Sequence, residues 1–202
     1  IEVLANAGIE RIYGITGDSL NSVNDSLRRN GKIQFEHVRH EESAAFAAGA
    51  EALLTGKLTV CAGSSGPGNL HLINGLFDCH RNRVPVLAIA SHIPQSEVGL
   101  NYFQETHPEN LFKECSCFCE LVSNPKQMPE ILFRAMNAAV GNRDVAVIVL
   151  PGDVAVMEIE IDELPTWHAP KLPRVIPQSE DILEMVQHIN NGKRITLFCG
   201  AG

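Results

Sequence analysis

The 202-residue sequence is poor in positive charge: 16 Lys and Arg stand against 24 Asp and Glu, a formal net charge of −8, and cations never run longer than pairs such as Arg28-Arg29. That balance excludes the electrostatic footprint of a nucleic-acid binder and of a polybasic membrane surface. Long apolar runs are also missing. The stretches at 84–90 and 145–150 fall far short of the roughly 20 residues needed to span a bilayer. The six cysteines form no Cys-x-x-Cys pair, and His37-x-x-His40 and Cys115-x-Cys117-x-Cys119 match no zinc spacing. Metal ligation is therefore not expected from these groups, the thiols are read as packing residues, and a reduced, cytoplasmic setting fits better than a disulfide scaffold.

What the sequence does contain is a globular composition, 45% hydrophobic, with enough length for one domain and the beginning of another. Strand-like runs at 11–16, 33–38, 58–62, 84–90, 117–122 and 144–150 alternate with helical patterns at about 19–29, 41–55, 69–81 and 125–140. Alternation at this spacing predicts an α/β fold, a three-layer α/β/α open parallel sheet with right-handed connections. Asp18 or Ser19 is the expected N-cap of the first full helix. Residues 91–107 lack periodicity and read as a long functional loop. The prolines at 165, 170, 173 and 177 mark a linker over 154–177, after which a helix at 179–191 and a strand at 194–199 start a second unit. Both ends read as cut from something longer.

The centre of this pattern is Arg39-His40-Glu41-Glu42-Ser43-Ala44-Ala45, where a strand runs directly into two carboxylates that open a helix of small residues. Alanine and glycine on several faces allow close approach of other backbones, so this helix is expected to be buried. Glu42 reads as a carboxylate favoured by the helix N-terminus. Glu41 sits where the strand ends, and in open α/β sheets ligands lie beyond the carboxyl ends of the strands. The second informative stretch is Gly63-Ser64-Ser65-Gly66-Pro67-Gly68, between a strand and a helix. It is either a tight turn or a set of N–H groups offered to a polar ligand. It is not a Walker loop or a Gly-x-Gly-x-x-Gly turn, and Pro67 spoils a nucleophile elbow around Ser65.

Taken in order, Gly14-Ile15-Thr16-Gly17-Asp18-Ser19, Arg39-His40-Glu41-Glu42, Gly63 to Asn69, Val84-Pro85-Val86-Leu87, Phe103-Gln104-Glu105 and Val149-Leu150-Pro151-Gly152-Asp153 resemble the thiamine-diphosphate enzymes of the pyruvate oxidase and acetolactate synthase family. Gly68 to Asn82 and Phe103 to Pro108 are most similar to the pyruvate oxidase, or pyruvate:quinone dehydrogenase, branch. The resemblance implies a pyrimidine-binding domain over 1–153, the linker at 154–177 and, at 178–202, the start of an FAD-binding middle domain. It implies that Glu41 is the catalytic acid that bonds the aminopyrimidine ring and promotes loss of the thiazolium proton. Thr16, Gly17, Pro67, Gly68 and His71 would line the cofactor, while Phe103, Gln104 and Asp18 would face the flavin or the substrate.

The implied parent decarboxylates pyruvate oxidatively to acetate and CO₂ and passes electrons through FAD to a quinone. An acetolactate synthase-type carboligase and a non-catalytic nucleotide-binding α/β module are the alternatives. The Gly-Asp-Gly…Asn motif by which the family holds Mg²⁺ and the diphosphate is not matched here, since Gly17-Asp18-Ser19 and Gly152-Asp153-Val154 do not continue in that pattern. The metal and diphosphate site is thus expected outside this chain. The chain alone should be inactive, the parent should be a homodimer or homotetramer, and any peripheral membrane contact belongs to the region beyond.

Overall fold

The computed structural model describes residues 1–161, 163–164 and 166–199. Six strands, β1 (Arg11–Gly14), β2 (Gln34–His37), β3 (Thr59–Gly63), β4 (Val86–His92), β5 (Phe118–Leu121) and β6 (Val145–Pro151), form one sheet in the order β2-β1-β3-β4-β6-β5. Every pairing is parallel. The helices are α1 (Glu2–Asn6), α2 (Asn21–Asn30), α3 (Glu41–Thr55), α4 (Pro67–Arg81), α5 (Pro108–Leu111), α6 (Met128–Asn142), α7 (Gly152–Ala155) and α8 (Ser179–Asn191).

Central strands read as unbroken apolar runs because helices cover both their faces: β3, β4 and β6 are buried at every position, whereas edge strands β2 and β5 are only partly covered. One face packs Val23 and Leu27 of α2 and Leu132, Ala135 and Met136 of α6 against Val60, Leu87 and Ile148. The other packs Ala45 and Ala48 of α3 and Leu72 and Leu76 of α4 against Cys61, Ala88 and Val147. The expected three-layer α/β/α sandwich is therefore the observed one.

The small residues of α3 let α4 lie directly on it. A Cβ on Gly75 would stand 2.5 Å from Ala45 Cβ, and one on Gly49 would stand 2.6 Å from Cys79 Sγ. This close contact fixes the first turns of the two helices side by side.

Several local expectations are corrected. The turn after β1 is a 3₁₀ segment, Asp18–Leu20, entered from Gly17, and no side chain caps it. Asp18 instead accepts a bond from the Asn21 side chain at 3.1 Å. The 91–107 loop begins only after His92, and α5 and α7 are short helices that periodicity cannot reveal. Cys115 precedes β5 and is buried, as a packing residue should be, whereas Cys117 is exposed and Cys119 only partly covered.

The chain divides into a compact unit from Ile1 to Pro170 and a second beginning at Lys171. The first extends into the proline-rich stretch as far as Pro170, where Trp167 is buried, its indole N–H donating to Asn137 Oδ1 at 2.9 Å. In the second, α8 forms as expected, but 195–199 is not a strand among the described residues. A strand needs a neighbour for its backbone N–H and C=O groups, and α8 is the element described there. Pro165 of the expected linker and residues 200–202 lie outside the described residues. No described helix is long and apolar enough to cross a membrane.

Candidate active site

The chain runs from β1 outward to β2, then returns past β1 to β3 and on to β4, so its direction reverses between β1 and β3. Beyond the carboxyl ends of such strands lies the crevice where open α/β sheets place ligands. The segments leaving β1, β2 and β3 bring Gly17-Asp18-Ser19, His40-Glu41 and Gly63 to Gly68 to this end of the sheet.

Extended backbone at His40 (φ −156°, ψ 139°) makes it the N-cap of α3, and its Nδ1 accepts the Glu42 N–H at 3.3 Å. Glu41 is consequently the first helical residue. The two adjacent carboxylates then diverge: Glu42 Oε1 accepts from Asn74 Nδ2 at 2.7 Å on the flank of α4, while Glu41 turns inward and is 7% exposed.

Glu41 Oε2 accepts from His71 Nδ1 at 3.0 Å, and the His71 ring stacks on His40 with centroids 4.2 Å apart. Oε1 has no hydrogen-bond partner among the described residues. It faces Gly68 in the first turn of α4, where a Cβ would stand 3.2 Å from it and 3.2 Å from Ser64 Cβ. Glycine leaves room on both sides, and Pro67 forms the exposed rim beside it. A nearly buried carboxylate with one oxygen held and the other open fits a ligand that offers a ring nitrogen or an N–H at that point.

Donor atoms of His40, Glu41 and His71 lie within 4.8 Å of one another. The two rings are stacked 28° from parallel, which sets their in-plane lone pairs side by side rather than converging on one ion. We assign no metal to them.

Next to this acid is a cleft floored by hydroxyls. Ser91 Oγ donates to Gly63 O at 3.1 Å, so Ser19 Oγ donates to Ser91 Oγ at 2.6 Å and Ser64 Oγ donates to Ser19 Oγ at 3.0 Å. Ser19 Oγ also accepts the N–H of buried Ser65 at 2.9 Å. Gly17 lies so near Ser64 that a Cβ there would clash with its Oγ. Gln104, in the left-handed region at φ 65°, closes on Gly66, and Ser65 Oγ donates to its Oε1 at 3.3 Å. Asp18, Tyr102, Phe103 and His92 complete the walls. His92 is buried, its Nδ1 has no partner among the described residues, and burial pushes its pKa below the usual value.

Of the residues singled out from the sequence, Glu41, Gly68, His71 and Pro67 meet at one point, and Gly17, Asp18, Phe103 and Gln104 border the adjoining cleft. Thr16 is apart from both, in a groove with Asn24, Leu27 and Phe35. Ser19, Ser91, His92 and the capping role of His40 were not foreseen. Serine hydroxyls carry no motif, and their network exists only once β1, β3 and β4 are adjacent.

Residues 1–111 match the family described as "Thiamine pyrophosphate enzyme, N-terminal TPP binding domain". Across its whole length the chain is 60% identical to an uncharacterized 42.6 kDa protein encoded in the isoamylase 3′ region of Pseudomonas amyloderamosa, covering 51% of that protein. It is 33% identical to pyruvate oxidase of Lactiplantibacillus plantarum, again over all of this chain and 34% of that one. Acetolactate synthase of Arthrospira platensis is 35% identical over 82% of this chain and 29% of its own. The chain thus spans from 29% to 51% of the length of these relatives. With the buried glutamate, the glycine-lined helix start and the parallel sheet, these matches place the chain among the thiamine pyrophosphate enzymes, as a bearer of their N-terminal TPP-binding domain.

Proposed function

We propose that the chain is part of a thiamine diphosphate- and FAD-dependent enzyme that converts pyruvate and water to acetate, CO₂, two protons and two electrons, the electrons passing by way of FAD to a quinone. The observation that carries this reading is the Glu41 carboxylate, buried at the start of α3 with Oε2 held by His71 and Oε1 open beside Gly68. Thiamine diphosphate, when bound, supplies the electron sink that lets a 2-oxo acid lose CO₂. Glu41 would hold a proton at Oε1 against the aminopyrimidine ring, and His71 would keep the carboxylate from rotating away. Gly68 admits the ring edge, while Phe103 and Gln104 border the adjoining cleft where the 2-oxo acid would lie.

Mg²⁺, the diphosphate site and most of the FAD site belong in this reading to the rest of the protein, with residues from 178 onward beginning the flavin domain. A homodimer or homotetramer would complete each site, in the cytoplasm or at the inner face of the membrane. Carboligation is the second reading, favoured by the 35% identity to an acetolactate synthase. The run from Gly68 to Asn82 with Phe103 to Pro108 supports oxidation. Product analysis of the full-length enzyme with pyruvate and a quinone decides: acetate is expected, and acetolactate as the sole product would overturn the oxidative reading.

A further inference from the structure

The loop between β4 and α5 is anchored at its start by buried Ile93, yet little packing holds the stretch from Val98 to Phe103 that leads to Gln104. Phe103 is 80% exposed, Tyr102 45% and Leu100 68%. Three of its residues, Gly99, Asn101 and Gln104, have positive φ of 86°, 58° and 65°, a region that non-glycine residues avoid. Something other than side-chain burial must fix this path.

Beside turn bonds such as Leu100 N–H to Glu97 O at 3.2 Å, one carboxylate gathers the path. Glu105 Oε1 accepts the N–H of Gly99 at 2.5 Å, and Oε2 accepts the N–H of Tyr102 at 3.1 Å, while the Glu105 N–H donates to Tyr102 O at 2.9 Å. The loop is therefore folded around the side chain of one of its own residues, and both oxygens are engaged. The Gly99 N–H, followed by those of Tyr102 and Asn101, holds the carboxyl below its usual pKa, as expected for an anion gathered by backbone donors. The adjacent residue, Gln104, is thereby pressed onto the Gly66 turn. A Cβ at Gly66 would stand 2.9 Å from Gln104 O, and Ser65 Oγ reaches Gln104 Oε1 at 3.3 Å. Ordering of the loop and closure of the cleft wall pass through the same residue.

We propose that Glu105 is a positioning residue: its carboxylate folds the loop from Gly99 to Gln104 and so sets Phe103 and Gln104 over the cleft beside Ser64 and Ser65. For catalysis the proposal rests on the functional reading above, but its structural half does not. The test uses the full-length protein with Glu105→Ala, Glu105→Gln and, as a same-charge control at the head of the loop, Glu97→Gln.

Hydrogen exchange should rise by about tenfold or more at the amides of Gly99 and Tyr102 in Glu105→Ala. The rise should be smaller in Glu105→Gln, which keeps one acceptor oxygen, and absent in Glu97→Gln. The KM for pyruvate should rise by about tenfold in Glu105→Ala with kcat changed much less, the pattern of lost binding rather than lost chemistry. Exchange at Gly99 and Tyr102 that is unchanged in Glu105→Ala overturns the proposal, and so does faster exchange with both kinetic constants left at wild-type values. If the wild-type protein consumes no 2-oxo acid, the functional reading fails, and the exchange result alone decides whether Glu105 holds the loop.

Discussion

His71 in the second turn of α4 and Glu41 in the first turn of α3 share a 3.0 Å hydrogen bond that joins two helices starting from different strands. The bond can form because the helices touch through Gly75 and Ala45 one turn further along, so the acid's placement depends on the packing of α3 against α4.

That dependence is testable at Gly75. A Cβ there would stand 2.5 Å from Ala45 Cβ and 2.9 Å from Glu42 O, neither of which is a flexible chain end. Gly75→Ala should lower stability by about 1–3 kcal/mol through overpacking, despite alanine's better helix propensity. Urea unfolding midpoints measure this, and a stabilised variant would show that α3 and α4 are not in such close contact.

The hydroxyl network yields a second expectation. Ser19 Oγ is the acceptor for the N–H of Ser65, a residue 4% exposed. Ser19→Ala leaves that buried donor unpaired and should cost about 1–3 kcal/mol. Equilibrium unfolding is again the readout, and a cost near zero would mean the network is not a single unit.

His92 predicts the pH dependence. Burial lowers its pKa from about 6.5, against the opposing pull of Glu109 and Glu105. With a depressed folded-state pKa, the unfolded chain takes up the proton first as pH falls below about 6.5, so stability drops with pH in that window. Relative to His92→Gln, the wild type should lose stability as pH falls from about 6.5 to the lower folded-state pKa, and keep a constant offset above about pH 6.5. Unfolding free energies measured for both proteins across pH 5 to 8 check the sign, and a difference independent of pH would contradict it.

Why some of this was legible in the sequence and some was not follows from the range of the interactions involved. The strands announce themselves through runs such as Val145 to Leu150, because a strand covered on both faces must be apolar throughout. Glu41 is legible because it abuts a strand end and opens a helix of small residues. The cap at His40 is not, since imidazole seldom takes that position, and Asp18, a better capping residue, turns instead to Asn21. Thr16 lies beside motif residues in sequence but on another side of the β1 exit. The strand expected at 194–199 fails because an apolar alternation specifies a strand only where a neighbour supplies its ladder. Glu105 is invisible as a loop anchor until the loop's own amides are seen to surround it.

In the proposed function Glu41 moves a proton at the cofactor. That step is tested most directly in the full-length protein by comparing exchange of the thiazolium C2 proton of bound thiamine diphosphate, followed by NMR, in wild type and Glu41→Gln. The variant keeps the shape and a bond to His71 but cannot ionise, so exchange should slow by about 10²–10⁴-fold while the cofactor still binds. Exchange at the wild-type rate in Glu41→Gln would contradict the assignment.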